Sequence, residues 1–189
     1  MLEAKKYIYD FSEGDAGMKI LLGGKGANLA QMWKIGLPVP PGFIITTEAC
    51  HEYWKEQDFI LSIWDDIKAA VARVEALAGK MFGREKDPLL VSVRSGAPVS
   101  MPGMMDTILN LGLNDDTVEG LARLTGNNRF ARDCYRRFIQ MYSNVVLEAE
   151  HGMFDSVMER YKKRLNLQFD YEIPEDKLLD IIKEYKEIV

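Results

Sequence analysis

Arg94 closes an apolar run, Leu89–Val93, and is followed within thirteen residues by Ser95, Gly96, Ser100, Pro102, Gly103 and Thr107. A guanidinium is charged at any accessible pH, so at the end of a buried strand it requires an anionic partner. The glycines and prolines after it break regular structure. Glycine also lets backbone amides come close to a phosphate, and the hydroxyls of Ser95, Ser100 and Thr107 add donors. Anion binding is therefore one reading of this stretch, and an internal salt bridge with one of the chain's many carboxylates is the other. Met101, Met104 and Met105 either form an apolar lid or fill gaps in a core.

A second anion-ready stretch is Gly23, Gly24, Lys25 and Gly26, placed where a helix plausibly starts. Free amides, the positive end of a helix dipole and an ammonium would converge there. The spacing is not GxxxxGK[ST], and no Ser or Thr follows Lys25, so this is no Walker A loop. A glycine turn with a solvated lysine is the competing reading. Two such stretches in one small α/β part favour phosphate binding over coincidence. On this reading the Lys25 amine and the Arg94 guanidinium face a common polyphosphate.

The elements that would carry these residues follow from periodicity. Lys6–Phe11 reads as a strand with Tyr7 and Tyr9 on one face and Ile8 on the other. Leu29, Met32 and Trp33 place an apolar stripe on a helix ending at Gly36, and the prolines after it force an extended run into Phe43–Ile45. Thr46 or Thr47 caps the next helix, with Glu48 in its first turn. Ile60, Trp64, Ile67, Val71 and Val74 predict one longer helix. Leu89–Val93 reads as an interior strand, and Thr107–Leu113 as another close behind it.

Beyond Asn114 only helical periods remain. One stripe is Phe130, Cys134, Phe138, Met141 and Val145. The next is Phe154, Val157, Met158, Tyr161 and Leu165. The last is Leu178, Ile181, Ile182 and Tyr185, with Pro174 in that helix's first turn. We expect an α+β chain divided near residue 113, with a mixed α/β subdomain at 1–112 and a helical subdomain at 113–189.

Composition excludes several classes. The 24 Lys and Arg against 29 Asp and Glu leave a formal net charge of −5, which argues against a general nucleic-acid surface. No apolar run is long enough for a membrane span and the N-terminus lacks a signal core, so we expect a cytoplasmic protein without membrane contact. Cys50 and Cys134 have no metal-ligand spacing and read as small buried hydrophobes. His51 and His151 read as surface or satisfied residues. Arg132, Arg136 and Arg137 read as solvating residues or partners of acids on a neighbouring helix. The carboxylates suit solvent-facing helices better than a metal cluster.

Together, "LLGGKGANLAQM", "GLPVPPGFIITTEAC", "DPLLVSVRSGA", "SMPGMMDTILNLGLN" and "YRRFIQMYS" resemble the N-terminal nucleotide-binding region of the pyruvate, phosphate dikinase family, in order and along nearly the whole chain. The related phosphoenolpyruvate synthases have a similar plan, but "SMPGMMDT" looks like the dikinase branch. The resemblance implies part of an ATP-grasp fold, which clamps ATP and passes its β-phosphoryl to a histidine on a separate domain.

By the same resemblance Lys25 and Arg94 are phosphate-contacting, catalytic residues. Gly24, Gly26, Ser95, Gly103, Met104, Asp106 and Thr107 complete the nucleotide-binding set. Pro98 stands where relatives often carry arginine, and Gln31 where they often carry glutamate. ATP with Mg2+ is the implied cofactor, and the metal ligands are expected mainly on a subdomain this chain does not include. The remaining dikinase domains, or a partner chain supplying them, are the implied partners, and an oligomer is compatible with this. The alternative is a non-catalytic fragment that binds or regulates a partner chain.

Overall fold

The computed structural model describes residues 5–96 and 107–189. Its contacts separate two compact units; among the described residues the first comprises 5–80 with Ser95 and Gly96, and the second comprises Met81–Arg94 and the chain from Thr107 onward.

In the first unit, strand β1 (Ile8–Asp10) is followed by helix α1 (Lys19–Lys34), strand β2 (Phe43–Ile45), and helices α2 (Thr47–Lys55), α3 (Phe59–Ser62) and α4 (Trp64–Ala78). β1 and β2 pair antiparallel, with Tyr9 opposite Ile44. Cross-strand partners share a face, and on this one Ile44 joins Phe11, Leu22, Ala27 and Ala30 of the α1 side in a core, with Tyr9 packed against it. The alternate residue Ile8 is also buried, and α4 packs along β1. The sequence-predicted strand faces are thus both covered.

Thr46 is the α2 cap, its hydroxyl accepting from the Ala49 amide at 3.2 Å. The single long helix expected from Ile60 is instead two, because Ile63 (φ −110°, ψ 9°) leaves helical geometry. That break rotates the register. Ile63, Ala70 and Val74 are buried, whereas Trp64 is 50% exposed.

The second unit begins with two-residue strands β3 (Met81–Phe82) and β4 (Pro88–Leu89), paired in parallel. A hairpin of β5 (Val91–Arg94) and β6 (Thr107–Leu111) follows, and then helices α5 (Thr117–Thr125), α6 (Asn128–Val145), α7 (His151–Leu165) and α8 (Glu175–Ile188). β5 is not the interior strand expected. It has one partner strand, and Val93 is 47% exposed. An apolar run cannot by itself distinguish an interior strand from a ribbon.

The α7 and α8 stripes agree with expectation. Phe154, Val157, Met158 and Tyr161 pack on Leu178, Ile181 and Tyr185. Pro174 stands one position earlier than expected, at the α8 N-cap. The α6 stripe is shifted, with Phe130 47% exposed and Ala131, Tyr135, Arg136 and Ser143 buried. The cause is that α6 packs on α5, β6 and α8 together, so it needs a wider covered surface than one stripe. Among the described residues no helix is long and apolar enough to cross a membrane.

Candidate functional site

The first group of candidate residues depends on Gly23. Its backbone (φ 69°, ψ 162°) lies in a region essentially confined to glycine, and it divides α1 into a short turn, Lys19–Leu22, and a second segment that starts at Gly24. The opening amides of a helical segment have no acceptor in a preceding turn. Gly24, Lys25 and Gly26 occupy that opening. Gly26 is buried, and a Cβ there would stand 3.1 Å from Ile44 Cγ2, so a side chain would push the segment off β2.

Lys25 is half-buried, and among the described residues no carboxylate pairs with it. Neighbouring lysines differ: Lys34 pairs with Asp15 at 3.2 Å and Lys5 with Glu48 at 3.2 Å.

The second group stands at the loop end of the β5–β6 hairpin, where the ladder register sets Arg94 opposite Thr107. The register slips between Val91 and Val93, and Asn110 on β6 has a left-handed backbone (φ 59°), the signature of a bulge in that strand. Arg94 is exposed, as are Ser95 and Gly96. Exposure overturns the expected buried guanidinium, since a wet strand end imposes no desolvation penalty. The salt-bridge alternative finds no support either, because among the described residues Arg94 pairs with no carboxylate. Gly103, Met104 and Asp106 lie outside the described residues, as do Pro98, Ser100, Met101, Pro102 and Met105.

Lys25, Gly24 and Gly26 thus share one turn in the first unit, and Arg94 and Thr107 share one ladder position in the second. Neither group lines the cavity beside Phe11 in the first unit or the one beside Tyr135 in the second. The former, of about 300 Å³, is bordered by Phe11, Trp33, Val74 and Leu77. Its two charged residues satisfy each other, with Arg73 Nε and Nη2 donating to the Asp10 carboxylate at 2.8 and 3.1 Å. That pairing also raises the Arg73 pKa.

Of the three α6 arginines singled out, Arg132 pairs with an acid on a neighbouring helix as expected; Arg136, which is buried, and Arg137 pair within α6 instead. Arg132 meets Glu175, and Arg136 and Arg137 each hold Asp133 at 2.9 Å. Burial opposes the Arg136 charge, but Asp133 and Tyr185 outweigh it and its pKa is raised. Cys134 is partly buried, and burial pushes its thiol up and makes it less reactive. Cys50 is exposed, contrary to the buried reading. Among the described residues no group of three or more His, Cys, Asp or Glu is placed to hold a metal ion.

Thr47, which the sequence offers only as an alternative cap for α2, has another role in this region. The Thr47 hydroxyl donates to the carbonyls of Ile20 and Leu21, at 2.6 and 3.2 Å. The available signal was a Thr-Thr pair at a helix start that needs only one cap.

Residues 19–76 match the family model described as pyruvate phosphate dikinase, AMP/ATP-binding domain. Over 184 residues, 97% of this chain, it is 52% identical to the pyruvate, phosphate dikinase of Clostridium symbiosum, of which it covers 21%. It is 50% identical over 167 residues, 88% of the chain, to the enzyme of that name from Entamoeba histolytica, covering 19% of it. With the Rhizobium meliloti protein it shares 47% over 189 residues, 97% of the chain and 21% of the relative. The chain spans about a fifth of the length of these curated relatives.

Proposed function

Because this chain is similar along nearly its whole length to the N-terminal nucleotide-binding region of pyruvate, phosphate dikinase, we propose that it holds the phosphates of ATP for transfer of a phosphoryl group to a histidine on another domain. Lys25 and Arg94 supply positive charge to those phosphates, within part of an ATP-grasp fold. The observation that carries this reading is that both cations stand at glycine-marked chain breaks with no described carboxylate taking up their charge. Phosphoryl transfer requires positioning and charge neutralisation more than covalent help from the protein, and a lysine, an arginine and free amides provide both.

Mg2+ would arrive bound to the ATP, and it supplies further neutralisation of the phosphates. The amides of Gly24 and Gly26 and the hydroxyls of Ser95 and Thr107 orient the phosphate oxygens, and Gly103, Met104 and Asp106 belong to the segment proposed to cover them. Completing the dikinase reaction falls to domains beyond this chain, since the phosphoryl acceptor is not assigned to it.

Titration calorimetry with MgATP tests the assignment. Lys25→Ala and Arg94→Ala are each expected to weaken binding about tenfold, the range for a lost hydrogen bond to a charged group. Undiminished affinity in both variants would remove the assigned phosphate contacts.

A further inference from the structure

The break at Gly23 separates two carbonyls from their helical partners. By the i to i−4 rule, Ile20 O would accept from the Gly24 amide and Leu21 O from the Lys25 amide if α1 were continuous. In this structure both carbonyls accept from Thr47 Oγ1, at 2.6 and 3.2 Å. The α2 cap is already made by Thr46, so the Thr47 hydroxyl is not needed for that purpose.

We propose that Thr47 is a positioning residue for the phosphate site: by occupying the Ile20 and Leu21 carbonyls it keeps the Gly24 and Lys25 amides free for an anion. The inference rests on the reading of Lys25 as a phosphate contact. Glycine adopts helical angles about as readily as the positive-φ angles Gly23 has here, so the segment has two accessible arrangements. In the alternative one, α1 runs through Gly23 and the two amides are consumed by the two carbonyls. Without a competing donor, the carbonyls at the end of Lys19–Leu22 are open to the Gly24 and Lys25 amides, which favours that closure. Thr47 bonds one helix to the preceding one and tips the balance toward the open arrangement.

Thr47→Val keeps the branched shape and removes the donor, while Thr47→Ser keeps the donor. In the ligand-free 189-residue chain, Thr47→Val is expected to slow amide hydrogen exchange at Gly24 and Lys25 about fivefold, the ratio one net hydrogen bond is worth. MgATP affinity, read from amide shifts during titration, falls by a similar factor, and Thr47→Ser restores both. Unchanged exchange at these two amides in Thr47→Val, or a serine variant that behaves like the valine, overturns the proposal. Slowed exchange combined with full MgATP affinity in Lys25→Ala would refute the phosphate reading and sustain the control of the break by Thr47.

Discussion

Gly120→Ala is expected to destabilise the second unit even though alanine is the better helix former. A Cβ at Gly120 would lie 1.6 Å from the carbonyl oxygen of Glu85 and 3.3 Å from Pro88 Cδ. The obstacle is backbone, which cannot rotate aside as a side chain can. Overpacking of this kind costs roughly 3 kcal/mol, against about 1 kcal/mol gained in helix propensity. The net loss should lower Tm by about 10 °C. Gly126→Ala is the matched control: that glycine has a left-handed backbone (φ 64°) but nothing within 4 Å, so only conformational strain of about 1 kcal/mol applies. Equal melting of the two variants would show that α5 does not lie against the Glu85–Pro88 chain. That chain runs directly into β5 and Arg94, the proposed phosphate contact.

Tyr185→Ala should be about as damaging. Tyr185 is fully buried, its ring meets Phe154 edge to face at 4.9 Å, and its hydroxyl donates to the Phe154 carbonyl at 3.1 Å. Loss of a buried aromatic ring costs about 4 kcal/mol, whereas Tyr185→Phe removes only the hydroxyl, about 1 kcal/mol. The two variants therefore separate packing from hydrogen bonding in urea unfolding. They also carry a pH dependence. Burial raises the Tyr185 pKa, opposed by the nearby Arg136 charge. A phenol in the unfolded chain titrates near about 10, so the neutral, buried form contributes its full stability below that pH, and the contribution is lost as pH rises toward the folded value. Tyr185→Phe should flatten this alkaline decline in part, since burial raises Tyr135 and Tyr161 as well. Identical declines in wild type and Tyr185→Phe would rule out the linkage. α8 supports α6, and α6 packs on β6, the strand that holds Arg94 in register.

Much of this arrangement was legible in the residue order. The stripes of α7 and α8, the α2 cap and the alternation of β1 all follow from local periodicity, because neighbours along the chain decide them. Where packing partners are distant in sequence, the reading failed. The covered α6 surface is wider than its apolar stripe because three elements pack on it, and β5 reads as interior from its apolar run although, among the described residues, β6 is the one strand paired with it. Ile63 could not be recognised as a break from an unbroken apolar period.

The residue types therefore settled by themselves that Lys25 and Arg94 stand at glycine-punctuated turns, because glycine and proline act through backbone angles that no distant contact need impose. Tertiary structure alone decided that Arg94 faces water opposite Thr107, that Lys25 opens a restarted helix, and that Thr47 reaches back to the two carbonyls freed by Gly23. Each of these depends on which groups remain unpaired after folding. That is a property of the assembled backbone and not of any one stretch of sequence.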